Sequence, residues 1–287
     1  MDRENPAKPY MPPNPFGVNQ VYYERIQNMR LLDDALMTAA LADNIPATQL
    51  ILRIILGKDD LVITSVRTQS EYKNLRGHSL FLDIDAIDSR GVKYDIEIQR
   101  DERYANPERG RYHMAIMDAH SLKPKQPFKA LPTSYVVFIM EKDYYGEGQP
   151  VYHVDRIVRE TGKEYGDRAQ IVYANAAYQG ENKIGRLMAD FREVDPQKMH
   201  NQELAGRAYD LKYKEDEVRK MCKAMEITFE EGRMEGEQTS KVSDIENIME
   251  TLGLSLADAF NALRIPGDEH QKYTNLIAQR RLAAGNG

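Results

Sequence analysis

The sequence predicts an α/β fold, a mixed sheet flanked by helices with a helical extension at its C-terminal end, and three observations carry that prediction. Six short runs rich in β-branched and aromatic residues are bounded by turn formers. A stretch with helical periodicity lies between the third run and the fourth. From about His200 the composition shifts to charged, helix-favouring residues. Strands interrupted by a crossover helix pack as layers around a mixed sheet.

The elements follow in order. The opening stretch MDRENPAKPYMPPNPFG is a Pro-rich arm, expected to be extended, and its lack of an apolar segment does not fit a secretory signal. From about Val21 to Leu41, apolar residues at helical spacing (Ile26, Met29, Leu32, Leu36, Leu41) predict helices. A further helix starts around Pro46, carries the stripe Leu50, Ile51, Ile54 and Ile55, and ends at Gly57. The strand runs are LVITSV, SLFLDIDAI, VKYDIEIQ, SYVVFIME, VYHVDRIV and AQIVYAN, with the crossover helix over Glu108 to Lys123. In the C-terminal region EEGRMEGEQTSK is either a solvated helix or a flexible connector. After it, one helix ends at Gly253, a Ser-initiated helix begins near Ser255, and Pro266-Gly267 is a stop. That outline fits a helix-turn-helix and equally a packing or oligomerisation pair, so a homodimer through these helices is one expectation. The expected division is an arm over residues 1–18, a core over 19–200 and a charged helical region over 201–287.

Composition bounds the function. With 287 residues and one cysteine, Cys222, the chain has neither an internal disulfide framework nor a Cys-based zinc cluster, which suits a reducing compartment. No run reaches the roughly 18 apolar residues of a membrane span; the best, LILRIILG, is interrupted by Arg53. The expectation is a soluble, cytoplasmic protein without a membrane partner. A formal net charge of -6 argues against a protein that coats nucleic acid by bulk electrostatics, but a locally bound metal ion can still recruit phosphate.

The hairpin from Leu80 to Gln99 concentrates the chemistry. Side chains alternate along a strand, so Phe81, Asp83 and Asp85 share one face and Asp95, Glu97 and Gln99 share one face of the next strand. Ser89-Arg90-Gly91 fits a three-residue loop whose glycine takes the left-handed conformation. Counting back sets Ile84 opposite Ile96, Asp85 opposite Asp95 and Asp83 opposite Glu97. Like charges directly opposed on a sheet are destabilising, and a divalent cation such as Mg²⁺ or Mn²⁺ would offset them. The other reading is a solvated acidic face on an outer hairpin, with Asp85 and Asp95 facing solvent.

At these residues the chain resembles the PD-(D/E)XK nuclease superfamily, in particular its transposase-like, recombination-promoting branch. The likeness runs through LLDDALMTAAL, ILRIILGKDDLVI, LDIDAIDSRGVKYDIEIQ, RYHMAIMDAHSL, YVVFIME and EEGRMEGEQ. It implies a restriction-endonuclease-like core and a metal-dependent DNA endonuclease, linked to recombination or mobile elements. It also implies that Asp83 and Glu97 are metal ligands and catalytic residues and that Gln99 completes the motif. An acid on the first helix, Asp33 or Asp34, would add a ligand, although adjacent acids at a helix start also serve as caps. Arg111 would hold DNA phosphate, with Arg100, Arg103 and Arg109 read as surface arginines. His113 reads as a packing residue between Tyr112 and Met114. Gln99 stands where many relatives carry lysine; it is neutral and can orient a water only by hydrogen bonding. The competing function is a catalytically weakened DNA-binding or protein-interaction module.

Overall fold

The computed structural model describes residues 14–73 and 79–284; the arm expected over 1–18 lies mostly outside them. Three helices come first: α1 (Gln20–Asn28), α2 (Asp34–Leu41) and α3 (Ile45–Leu56). The Asn44 side chain caps α3 by accepting the Ala47 N–H, Pro46 sits in its first turn, and Gly57 closes it at φ 62°. Only a residue without Cβ takes that conformation at little cost. Strands β1 (Ile63–Tyr72), β2 (Leu80–Asp88) and β3 (Lys93–Gln99) lead to helix α4 (Pro107–Ala119) and strand β4 (Ser134–Met140). Strands β5 (Val151–Val154), β6 (Ile157–Val158), β7 (Lys163–Glu164) and β8 (Ala169–Asn175) follow. The remaining helices are α5 (Lys183–Arg192), α6 (Gln202–Tyr213), α7 (Glu215–Leu252), α8 (Leu256–Ala262) and α9 (His270–Ala284).

The main sheet has six strands in the order β1-β2-β3-β4-β8-β5. β1, β2 and β3 are antiparallel, β3, β4 and β8 are parallel, and β5 returns antiparallel to β8. Every residue of β4 is buried, as expected of a parallel strand covered on both faces. The run VYHVDRIV is not one strand: its first half pairs with β8 and its second half forms a separate two-stranded ribbon with β7. α2 and α3 pack on β1. α4 packs on the face formed by Val136, Phe138, Met140 and Tyr173, through Met114 and Met117. Gly110 sets how close α4 can come, because a Cβ there would stand 2.9 Å from Ile171 Cδ1 and 3.3 Å from Phe138 Cε2.

One buried charge ties the first helix to the end of the core. Lys212 is fully buried, and its Nζ donates to the carbonyls of Gln27 (3.1 Å), Met29 (2.6 Å) and Val194 (2.5 Å). Burial pulls its pKa down to about 8. Lys212→Met should lower unfolding free energy by about 2–4 kcal/mol, because three carbonyls lose their donor together; denaturant titration at constant pH measures it.

The chain divides into two compact units, Met1–Cys222 and Lys223–Gly287. The second has its own core of Val242, Ile245, Ala259, Phe260, Tyr273 and Ile277. Its turns fall where the sequence places them: Gly253 has φ 63° and the Ser255 side chain caps α8 by accepting the Asp258 N–H. EEGRMEGEQTSK lies within α7 and is helical. Among the described residues no single helix is long and apolar enough to cross a membrane.

Candidate active site

The β2–β3 turn places the acids. Asp88 organises it: its Oδ1 accepts the N–H groups of Arg90 (2.8 Å) and Val92 (2.9 Å), and Gly91 is left-handed at φ 77°. The register is the one the loop length dictates, Ile84 opposite Ile96 and Asp85 opposite Asp95. Beyond that pair, side chains take over from the backbone ladder. The Asp83 N–H donates to Glu97 Oε1 at 3.1 Å, and the Ile98 N–H donates to Asp83 Oδ2 at 3.4 Å. On the other flank of β2, Gln69 interrupts β1 with φ 51° between the pairs Thr68–Ile84 and Ser70–Leu82. A non-glycine residue in that conformation stores strain, and by register it lies alongside Asp83.

The acidic face is not solvated. Asp95 and Glu97 are 0% exposed and Asp85 is 2% exposed, so the expectation that Asp85 and Asp95 face solvent is corrected. The reason is the crossover helix. Asp95 and Glu97 are opposite Val136 and Phe138 of β4, on the face that α4 covers. His113 Nδ1 lies 2.7 Å from Asp95 Oδ2 and 3.8 Å from Glu97 Oε1. Arg109 Nη2 donates to Glu97 Oε2 at 3.1 Å. Asp85 Oδ2 accepts from Arg67 Nη2 (2.7 Å) and from the Tyr72 hydroxyl (3.1 Å), and burial together with that carboxylate pushes Tyr72 up to about 12. Asp85 Oδ1, Asp95 Oδ1, Arg109 Nε and His113 Nε2 are buried without a hydrogen-bond partner.

This crowding changes the acids. Burial, then Glu97, then Asp34 raise Asp83 to about 7. Burial and the neighbouring Asp95 raise Glu97 to about 7, with His113 opposing. Asp95 is held well above the ordinary carboxylate range, mainly by burial. His113 is shifted downward by its own burial. Carboxyl groups gathered away from water must hold protons or be offset by positive charge.

The other expected residues divide clearly. Gln99 ends β3, half-buried. Asp34 opens α2, exposed, with Oδ1 accepting the Thr38 hydroxyl at 3.2 Å, and it acts on Asp83 electrostatically. Asp33 does not join the cluster: its Oδ2 accepts the Arg30 N–H (2.7 Å) and its Oδ1 accepts from Arg100 Nη1 (2.8 Å). Arg100 also donates to Glu141 and Arg103 to Asp101, and both are on the surface. Arg109 does not, since it reaches Glu97. Arg111 is exposed on α4 and lines a cleft of about 730 Å³ with Arg103, Tyr104, Asn106, Arg109 and His113. His113 is buried against Phe138, as its packing reading expected; what sequence reasoning did not foresee is that His113 and Arg109 also reach Asp95 and Glu97. The available signal was spacing: Arg109 and His113 are four apart on one helix face, beside a glycine that permits close approach.

The donor set fits a divalent cation. Asp95, Glu97 and His113 each offer a ligand atom, all within 4.8 Å of one another, and Asp95 Oδ1 is a buried oxygen without a partner. Asp83 adds a carboxylate linked to Glu97 through the backbone. No curated protein and no solved structure matches the chain. A family model described as PD-(D/E)XK nuclease family transposase matches residues 48–251, a span that holds the hairpin, α4 and the parallel strands. By that match and by this geometry, the chain belongs to the PD-(D/E)XK nuclease family transposases.

Proposed function

We propose that the chain is a divalent-metal-dependent endodeoxyribonuclease that hydrolyses phosphodiester bonds, acting in recombination or on mobile elements. The observation that carries this reading is the buried group around Glu97: Asp83, Asp95 and Glu97 are gathered at a cost in desolvation and repulsion that Arg109, His113 and two backbone N–H groups offset only in part, since all three acids remain shifted upward. Asp83 and Glu97 would hold Mg²⁺ or Mn²⁺, with Asp34 near enough to act on Asp83. When bound, the cation lowers the pKa of the attacking water and stabilises charge on the phosphate.

The chain's own residues supply the rest. Gln99, two residues beyond Glu97 on the same strand face, orients the attacking water through its carboxamide. Arg109, with its side chain 35% exposed, stands between Glu97 and the cleft and carries its charge to the scissile phosphate. Arg111 and Arg103 line the approach and hold flanking phosphates. A basic cleft in an acidic protein confines DNA affinity to one surface.

Incubating the purified protein with supercoiled plasmid in EDTA, Ca²⁺, Mg²⁺ or Mn²⁺ tests this reading. Nicking and linearisation are expected with Mg²⁺ or Mn²⁺ and absent with EDTA. Plasmid that stays supercoiled under every cation, while still bound, would replace the nuclease by a DNA-binding module. Separately, Arg111→Ala should weaken DNA binding about equally on all sequences and reduce the slope of log affinity against log salt by about 1, measured by fluorescence anisotropy in Ca²⁺.

A further inference from the structure

Two groups of ligands share Glu97, and they differ in chemistry. Towards β2, Glu97 is joined to Asp83, so that side offers only oxygen. Towards α4, it meets Asp95 and the imidazole of His113. Oxygen ligands suit Mg²⁺, whereas a set of imidazole plus carboxylates suits Zn²⁺ and its neighbours.

We propose that Asp95, Glu97 and His113 form a second, overlapping cation site that takes Zn²⁺, and that zinc there inhibits by withdrawing Glu97 from Asp83. The site is defined by geometry. Zinc bonds of about 2.0–2.2 Å to N and O put neighbouring ligand atoms about 3.3–3.6 Å apart in a tetrahedron. His113 Nδ1 and Asp95 Oδ2 share a hydrogen bond at 2.7 Å, so zinc would take the place of the proton between them and widen that contact, while the 3.8 Å from His113 Nδ1 to Glu97 Oε1 would close slightly. All three side chains are fully buried, and Asp95 Oδ1 has no hydrogen-bond partner. His113 is held in place by its edge-on contact with Phe138, at 6.1 Å between ring centres. Gly110 lets α4 lie close enough to deliver it. Three protein ligands leave the fourth zinc position to solvent or substrate. Arg109 Nη2 donates to Glu97 Oε2, while Oε1 accepts the Asp83 N–H and lies 3.8 Å from His113 Nδ1.

The inhibitory half rests on the nuclease reading; the binding half does not. Co²⁺ serves as the spectroscopic stand-in for Zn²⁺, titrated into the full-length, metal-free protein. The expected result is the visible absorption of four-coordinate Co²⁺, saturating at one equivalent and bleached by Zn²⁺. His113→Gln should weaken Zn²⁺ affinity at least about 100-fold, and Asp83→Asn should leave it unchanged. Because His113→Gln alters a buried position, Asp95→Asn provides a second variant with the same expected loss, and each is checked for folding by circular dichroism. Absence of the Co²⁺ spectrum, its persistence in both folded variants, or its loss in Asp83→Asn would overturn the proposal. In plasmid assays, Mg²⁺-dependent nicking should fall in proportion to added Zn²⁺ and stop at one equivalent. A protein that shows the Co²⁺ spectrum but never cleaves would retain the zinc site and lose the nuclease reading; one that cleaves without the spectrum would lose only the zinc site.

Discussion

Asp83→Ala and Glu97→Ala should each reduce the single-turnover rate of plasmid nicking by at least about 10³-fold, or about 4 kcal/mol in the barrier. The double variant should be little worse than either single one. The two side chains work as one unit, each holding the other through a backbone N–H, Asp83 N–H on Glu97 and Ile98 N–H on Asp83. Groups that act as a unit lose function together and not additively. An Asp83–Glu97 pair whose losses sum would mean two independent roles and would count against a shared cation. Both variants should fold, since removing a crowded carboxylate relieves repulsion.

The same crowding predicts an inverted pH dependence of stability. Asp83 and Glu97 are raised to about 7 in the folded state, whereas ordinary carboxyl groups titrate near 4. Between those values the native protein binds more protons than the unfolded chain, so these groups make stability fall as pH rises from about 4 to about 7 and then level off. In EDTA the protein should therefore lose Tm between pH 5 and pH 8. Mg²⁺ or Mn²⁺ should restore most of that at pH 8 and little at pH 5, where protons already occupy the site. Glu97→Gln should flatten both trends. Differential scanning fluorimetry across pH, with and without cation, measures them; a metal-free Tm that rises from pH 5 to 8 would contradict this reading of the cluster.

Much of the site was legible in the sequence because strand alternation and loop length are local. Three residues between Asp88 and Val92, the last a glycine at φ 77°, fix the hairpin register, and the register sets Asp85 against Asp95. What covers a strand face is not local. Asp85 and Asp95 looked solvent-facing because nothing in LFLDIDAID or KYDIEIQ indicates that α4, reached only after the loop, folds back over them. The same gap hid that His113, buried as its packing reading expected, and Arg109 also reach Asp95 and Glu97. β1 extends to Tyr72 through the polar run RTQSEY, whose exposed alternation suits an edge strand but carries little apolar signal. VYHVDRIV split because its two halves pair with different strands, a choice made by tertiary packing.

If the acids gathered at Glu97 hold a catalytic divalent cation, calorimetric titration of Mn²⁺ into metal-free protein at pH 8 should show one binding site, with heat that varies with buffer ionisation because protons leave the carboxyl groups, and no binding to Glu97→Ala. Binding that survives intact in a folded Glu97→Ala protein, or no binding to the wild type, would contradict that role for the acids.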